Sequence, residues 1–299
     1  MKTEDIVAGR RIALLLALAG FGIFSLGDGI TKSTAGHWPG AAVAALRFSI
    51  GAIGLGLILF LREGVQGFAM PRPLIQIGRG AAMAVSTACF FVAVQVMPLA
   101  TATAIGFTAP LMTALLSAVI LRERVSLRVW GTIAIATAGV MLVLRPNFAG
   151  MALQPLLPLG SAFGMAILMM LNRAVAGSTP ALLSQMLVAA FASPILIAIA
   201  FALHRTGDPA FHVGAPSGSL ILWVFVLAIG ATIGHWLIYL ATTRASAATV
   251  APANYVQLPI AIMMGWALFG DLPDWIDVAG IALIVLAGTM LLKAPEIRP

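Results

Sequence analysis

The chain has 299 residues, 61% hydrophobic and 9% charged, with a mean hydropathy of +1.05. A soluble domain carries roughly 25% charged residues, so water could not solvate a globule of this composition, and a soluble enzyme or binding domain is excluded. The formal charge of +7 does not point to nucleic acid, because the 17 Lys and Arg residues stand singly between apolar runs, the pattern of loop charges beside anionic lipid.

Crossing a hydrocarbon core of about 30 Å takes about 20 helical residues. The first run of that kind, 12–31, follows Arg10-Arg11. It is longer than a signal-peptide core and lacks a small-residue cleavage site, so it is expected to be the first span rather than a removed leader. Phe21, Ser25 and Asp28 share one of its faces, and Lys32 follows Asp28 at i+4, the spacing of a structural ion pair. The second run, 39–61, contains Arg47 about eight residues in, roughly 12 Å deep at 1.5 Å per residue. A cation at that depth needs an acid or a cavity beside it, so Arg47 is either the partner of Asp28 or the holder of a substrate carboxylate.

The third run, 75–96, carries Phe91 and Gln95 one turn apart, with Cys89 between apolar residues. As the one cysteine of the chain, Cys89 rules out an internal disulfide and gives no cysteine metal site. The fourth, 99–121, has Thr101 and Thr108 on one side, Phe107 adjacent, and Pro110 in its middle; the fifth is 127–144. The sixth, 156–176, aligns Asn172 with Met165 and Met169; the seventh is 180–203. The eighth, 219–242, places Thr232, His235 and Tyr239 on one face. The ninth, 246–269, brings Asn254 and Gln257 together beside Tyr255, with Pro259 in its interior, and the tenth is 275–292.

Ten spans with short connections make neighbours antiparallel. With the N-terminus in the cytoplasm, the inner side receives Lys2, Arg10, Arg11, Arg62, Arg72, Arg79, Arg122, Arg124, Arg128, Arg173, Arg244, Lys293 and Arg298, which is 13 cations. The outer side receives Lys32, Arg145 and Arg205, which is 3. The positive-inside bias places both termini in the cytoplasm.

The fifth and tenth spans repeat each other. At an offset of 149, residues 129–142 and 278–291 agree at seven of fourteen positions, including Gly131/Gly280 and Gly139/Gly288, and Pro110 and Pro259 are in the same register. Five spans is an odd number, so the second copy must enter the membrane from the opposite side. The expected fold is an all-α membrane protein of ten transmembrane helices, in two inverted-topology repeats (1–148 and 149–299) around a central cavity, an arrangement typical of secondary transporters. The repeated glycines read as packing positions that let backbones approach, and the two prolines as symmetric kinks or hinges.

Several motifs carry a resemblance. Leu46-Arg47-Phe48, Ala109-Pro110, Leu258-Pro259, Leu121-Arg122-Glu123-Arg124 before Val125-Ser126, and Gly270-Asp271 resemble signatures of the EamA-type members of the drug/metabolite transporter superfamily. The likeness covers essentially the whole chain, but the motifs are structural and not specific for substrate. Members usually carry Glu-Pro where this chain has Ala109-Pro110 and Leu258-Pro259, so a mechanism that needs those acids has no counterpart here. The resemblance implies a basket of helices in a bacterial inner membrane that moves small metabolites or drugs, commonly outward.

The expected substrate-binding set is Arg47, Phe91, Gln95, Phe107, Thr108, Asn172, His235, Tyr239, Asn254, Tyr255 and Gln257, with Pro110 and Pro259 as hinges and Asp28 and Lys32 as a structural pair. The set is mostly apolar, with amides, hydroxyls and one imidazole, and suits neutral or zwitterionic molecules with an apolar part. Amino acids, aromatic and apolar ones included, lead. Efflux of lipophilic drugs is the alternative, weakened because no acid lies at mid-depth to hold a cation. No cofactor or metal is expected, and the partners are a small-molecule substrate and the bilayer. The chain has no GxxxxGK[ST] loop for ATP and no HExxH motif, and Ser161 stands at the wrong place for GxSxG, so it is not read as an enzyme. His235 is the candidate proton carrier; uncoupled export is equally consistent.

Overall fold

The structure, a computed structural model, describes residues 3–120, 127–144, 156–175, 178–242, 244 and 251–292. The Leu121–Ser126 motif lies outside the described residues. The described residues form helices and turns and no strand, as lipid demands of a chain that must satisfy its own backbone. The helices are α1 (Thr3–Ser33), α2 (Gly40–Glu63), α3 (Pro73–Val96), α4 (Leu99–Gly106), α5 (Ala109–Ile120), α6 (Leu127–Leu144), α7 (Leu156–Val175), α8 (Ala181–His204), α9 (Gly218–Thr242), α10 (Gln257–Phe269) and α11 (Trp275–Leu292). Among the described residues five helical segments are long and apolar enough to cross a membrane, at Arg11–Ser33, Gly40–Phe68, Pro73–Val96, Ala181–His204 and Gly218–Thr242, and five shorter apolar helices accompany them. Ile53, Leu61, Leu222 and Trp266 stand exposed on the outside, where lipid and not water is the matching solvent. This is a multi-pass membrane protein.

Sequence punctuation explains the ends. Pro39 and Pro180 precede α2 and α8, and Pro73 opens α3, positions where a missing N–H costs nothing. Gly270 stops α10 in the left-handed region at φ +71°, and the turn it makes lets the Asp271 amide donate back to the Gly265 carbonyl at 2.9 Å.

Two expectations need correction. The fourth run is not one helix: it breaks at Phe107-Thr108 between α4 and α5, so Pro110 is the second residue of α5. The ninth opens with a 3-10 turn at Ala251–Val256, and Pro259 is the third residue of α10. Neither proline is a mid-helix kink. Each sits in a first turn, where a missing N–H costs no helical hydrogen bond. The helix-breaking happens just before the proline, which also restricts the residue it follows.

Packing joins the two parts of the chain. α1 packs on α9, α2 on α8, α3 on α7 and α6 on α11. Small residues set the approach: a Cβ on Gly139 would stand 2.7 Å from the Gly280 carbonyl oxygen, and one on Gly20 would stand 2.8 Å from that of Gly234. Buried hydroxyls add cross-links, with Ser86 Oγ donating to the Ser161 carbonyl at 2.9 Å and Ser49 and Ser193 sharing a 2.7 Å bond. Of the four repeated glycines, Gly139 and Gly280 meet as packing positions, whereas Gly131 faces open space.

Candidate functional site

A cavity of about 740 Å³ lies between α2, α3, α7, α8 and α9. It reaches the end of the bundle where α2 and α7 finish and α3 and α8 begin, with exposed Arg62, Asn172 and Pro180 at its mouth. Its depth is marked by Arg47 and Phe48 on α2 and by Ala228, Thr232 and His235 on α9. The wall is largely apolar, with Leu55, Met83, Val188 and Trp236 among its members.

Arg47 lies over the faces of Phe48 and Phe91, 5.3 Å from each ring centroid. No hydrogen bond or direct ion pair involves it among the described residues, although it interacts electrostatically with Asp28 on α1. Its guanidinium is therefore positioned by ring faces. His235 bonds through Nδ1 to the Ala231 carbonyl one turn back at 2.8 Å and packs against Phe24, with ring centroids 4.7 Å apart. Tyr239 lines the wall beside Trp236. Asn172 accepts a 2.6 Å hydrogen bond from Arg79 Nε.

The remaining expected residues lie outside this cavity's lining. Phe91 is buried behind Arg47. Gln95 donates to Thr34 Oγ1 at 2.9 Å and to the Trp38 carbonyl at 3.0 Å, fastening α3 to the loop after α1. Phe107 packs edge-on against Tyr255, and Thr108 Oγ1 caps its own turn at the Ile105 carbonyl. Gln257 donates to Asn254, while Ser25 of α1 donates to the Gln257 carbonyl at 3.0 Å. Phe107, Thr108, Asn254, Tyr255 and Gln257 lie at the two broken spans.

The Asp28–Lys32 pair is replaced by a different one. Lys32 Nζ reaches Asp271 Oδ2 at 2.5 Å, donates to the Met97 carbonyl at 2.9 Å and sits 5.0 Å from the Phe269 ring centroid. The Gly270 turn delivers Asp271 to Lys32, which is why i+4 spacing with Asp28 does not win. This cluster lies at the end of the bundle where α3 finishes, opposite the cavity mouth.

Sequence reasoning missed Arg79. Counted as a loop charge, it lies six residues inside α3 and is 4% exposed. Besides Asn172 it donates to Gln76 Oε1 at 2.5 Å and to Ser184 Oγ at 2.7 Å, and it lines the cavity. An arginine inside an apolar run was the signal available.

The profile of the EamA-like transporter family matches residues 11–145 and again 154–293. The chain belongs to the EamA-like transporter family. Relatives include the pseudopaline exporter CntI of Pseudomonas aeruginosa, 26% identical over 92% of this chain and 93% of its own. The S-adenosylmethionine uptake transporter of Rickettsia felis is 24% identical over 95% of each chain, and the riboflavin transporter of Rhizobium johnstonii is 24% identical over 94% of this chain and 90% of its own. A solved crystal structure at 21% identity aligns with a TM-score of 0.56 over 93% of this chain and 95% of that one, a shared fold. With these, the chain is a small-molecule transporter and not an enzyme.

Proposed function

We propose that this transporter moves amino acids and related small neutral or zwitterionic carboxylate metabolites by alternating access between two inverted five-helix repeats. The observation that carries the reading is the cavity: it reaches one end of the bundle, while Lys32 draws Asp271, Met97 and Phe269 together at the other. Arg47 at its depth is the group for a carboxylate, and the apolar wall takes the side chain.

The repeat is supported by two family matches in tandem and by the packing. Exchanging the halves turns the α1–α9 pair into α7–α3, and α2–α8 and α6–α11 each into itself. The breaks at Phe107-Thr108 and Val256-Gln257 fall 149 positions apart. Discontinuous helices at such places are a habit of secondary transporters, and Pro110 and Pro259 sit just beyond them as hinges. With both termini cytoplasmic in an inner membrane, the cavity mouth faces the cytoplasm. The names of the relatives, which cover both export and uptake, support a small metabolite and leave direction to experiment.

The test is flux in proteoliposomes loaded with labelled amino acids, with and without a pH gradient. Saturable flux insensitive to the gradient makes this an uncoupled amino-acid carrier, and gradient-driven accumulation lost in His235→Ala makes it proton-coupled. Movement of lipophilic drugs with no amino-acid flux replaces this reading with multidrug efflux.

A further inference from the structure

Three guanidinium groups, Arg47, Arg62 and Arg79, line the cavity, and no carboxylate does so among the described residues. Arg47 interacts electrostatically with Asp28. Among the described residues no acid pairs with Arg79. Its three hydrogen bonds go to the neutral oxygens of Asn172, Gln76 and Ser184, so its geometry is fixed and its charge is not cancelled. The surrounding corner is stitched together as firmly as a preformed site requires. Gln76 Nε2 also reaches the Pro71 carbonyl at 3.2 Å and Thr179 Oγ1 at 3.4 Å, and Arg72, in the left-handed region at φ +52°, donates to the Ala174 carbonyl.

A buried cation without a counter-charge is costly. Guanidinium carries five N–H donors, and the three bonds named here use one on each nitrogen, leaving two. The start of α8 adds to the same field: Thr179, Pro180 and Ala181 line the cavity, and the Pro180 cap supplies no side-chain acceptor for the first amides. The partial positive charge of that terminus reinforces Arg79.

We propose that this corner, where α3, α7 and α8 meet, is an oxyanion subsite at the cavity mouth, built on Arg79, and that it selects cargo of net negative charge. The proposal rests on the transporter reading above and departs from its substrate class in one respect: among carboxylate cargo, acids of net negative charge are taken in preference to the balanced zwitterions named there. Phe91, the residue beneath Arg47, is twelve positions beyond Arg79 on α3, about 18 Å along the axis at 1.5 Å per residue. A small acid therefore occupies Arg79 first and Arg47 afterwards, passing from one guanidinium to the next.

The experiment uses the full chain in phosphatidylcholine vesicles, where no anionic headgroup competes. Flux of L-glutamate and of succinate is compared with that of L-leucine in wild type, Arg79→Gln and Arg79→Lys. In the Gln variant the ratio of KM for glutamate to KM for leucine is expected to rise about tenfold or more, the scale of a lost charge-assisted hydrogen bond, with the Lys variant in between. A ratio that does not change, whatever happens to the absolute rates, makes Arg79 a scaffold residue and overturns the proposal.

A binding measurement separates this failure from failure of the transporter reading. Trp236 lines the cavity, so its fluorescence is followed as sodium glutamate, succinate or inorganic phosphate is added, against sodium chloride at equal ionic strength and with Trp236→Phe as the control. Saturable quenching by the carboxylates or by phosphate, lost in Arg79→Gln, establishes the subsite even if no amino acid is moved, and the order of the three names the acid. No saturable response to any of them in the wild type overturns it even if leucine is moved.

Discussion

Arg47 is held by ring faces and not by hydrogen bonds, so binding and stability separate at this residue. Cation–π contacts contribute about 0.5–2 kcal/mol each. Arg47→Ala is expected to cost about that much in thermal unfolding while raising the KM for a carboxylate cargo about tenfold or more; Arg47→Lys keeps part of both. A variant that unfolds more than it loses affinity would make Arg47 a structural partner of Asp28 instead. This residue was legible because a cation inside an apolar run is conspicuous. The partners of other charges were not. Arg79 meets Asn172 and Ser184 at separations of 93 and 105 positions, and Lys32 meets Asp271 at 239. Local spacing carries no information about such contacts, and i+4 spacing pointed to Asp28 instead.

At the scale of elements, period and punctuation gave most helix ends to within a few residues, because in lipid a long apolar run has no alternative to helix; α1 is the exception, starting at Thr3, nine residues before the apolar run. They failed where one run holds two helices: hydropathy is blind to the break at Phe107-Thr108 and to the 3-10 turn before Gln257. The repeat placed four glycines as equivalents, yet the neighbours differ. A Cβ on Gly139 would meet the Gly280 carbonyl oxygen, whereas one on Gly131 meets nothing within 4 Å. Gly139→Val is therefore expected to push α6 from α11 and destabilise by about 1–3 kcal/mol. Gly131→Ala should be neutral or stabilising by up to about 1 kcal/mol, since alanine is the better helix former. Unfolding of the two variants in the same detergent checks the pair, and equal losses would contradict the close approach of α6 and α11.

For the whole molecule, the proposed alternating access requires that the two ends open in turn. One end carries the cavity mouth; the other carries the Lys32–Asp271 pair, with side chains 11% and 32% exposed. Asp271→Asn leaves a largely buried ammonium with one carbonyl partner and is expected to cost about 1–3 kcal/mol, and the Lys32→Asp/Asp271→Lys exchange should recover much of it. The stronger test is covalent. With Cys89→Ala as background, Lys32→Cys and Asp271→Cys place thiols on either side of the contact, and a short reducible cross-linker joins them. If cargo leaves through this end, joining them should cut flux at least about tenfold, since the state with this end open is removed from the ensemble, and reduction should restore it. Treatment of either single variant should leave flux as it was. A cross-linked double variant that transports at the uncross-linked rate would mean that cargo takes another route, and the Lys32 cluster would then be a static clamp between α1 and the turn after α10.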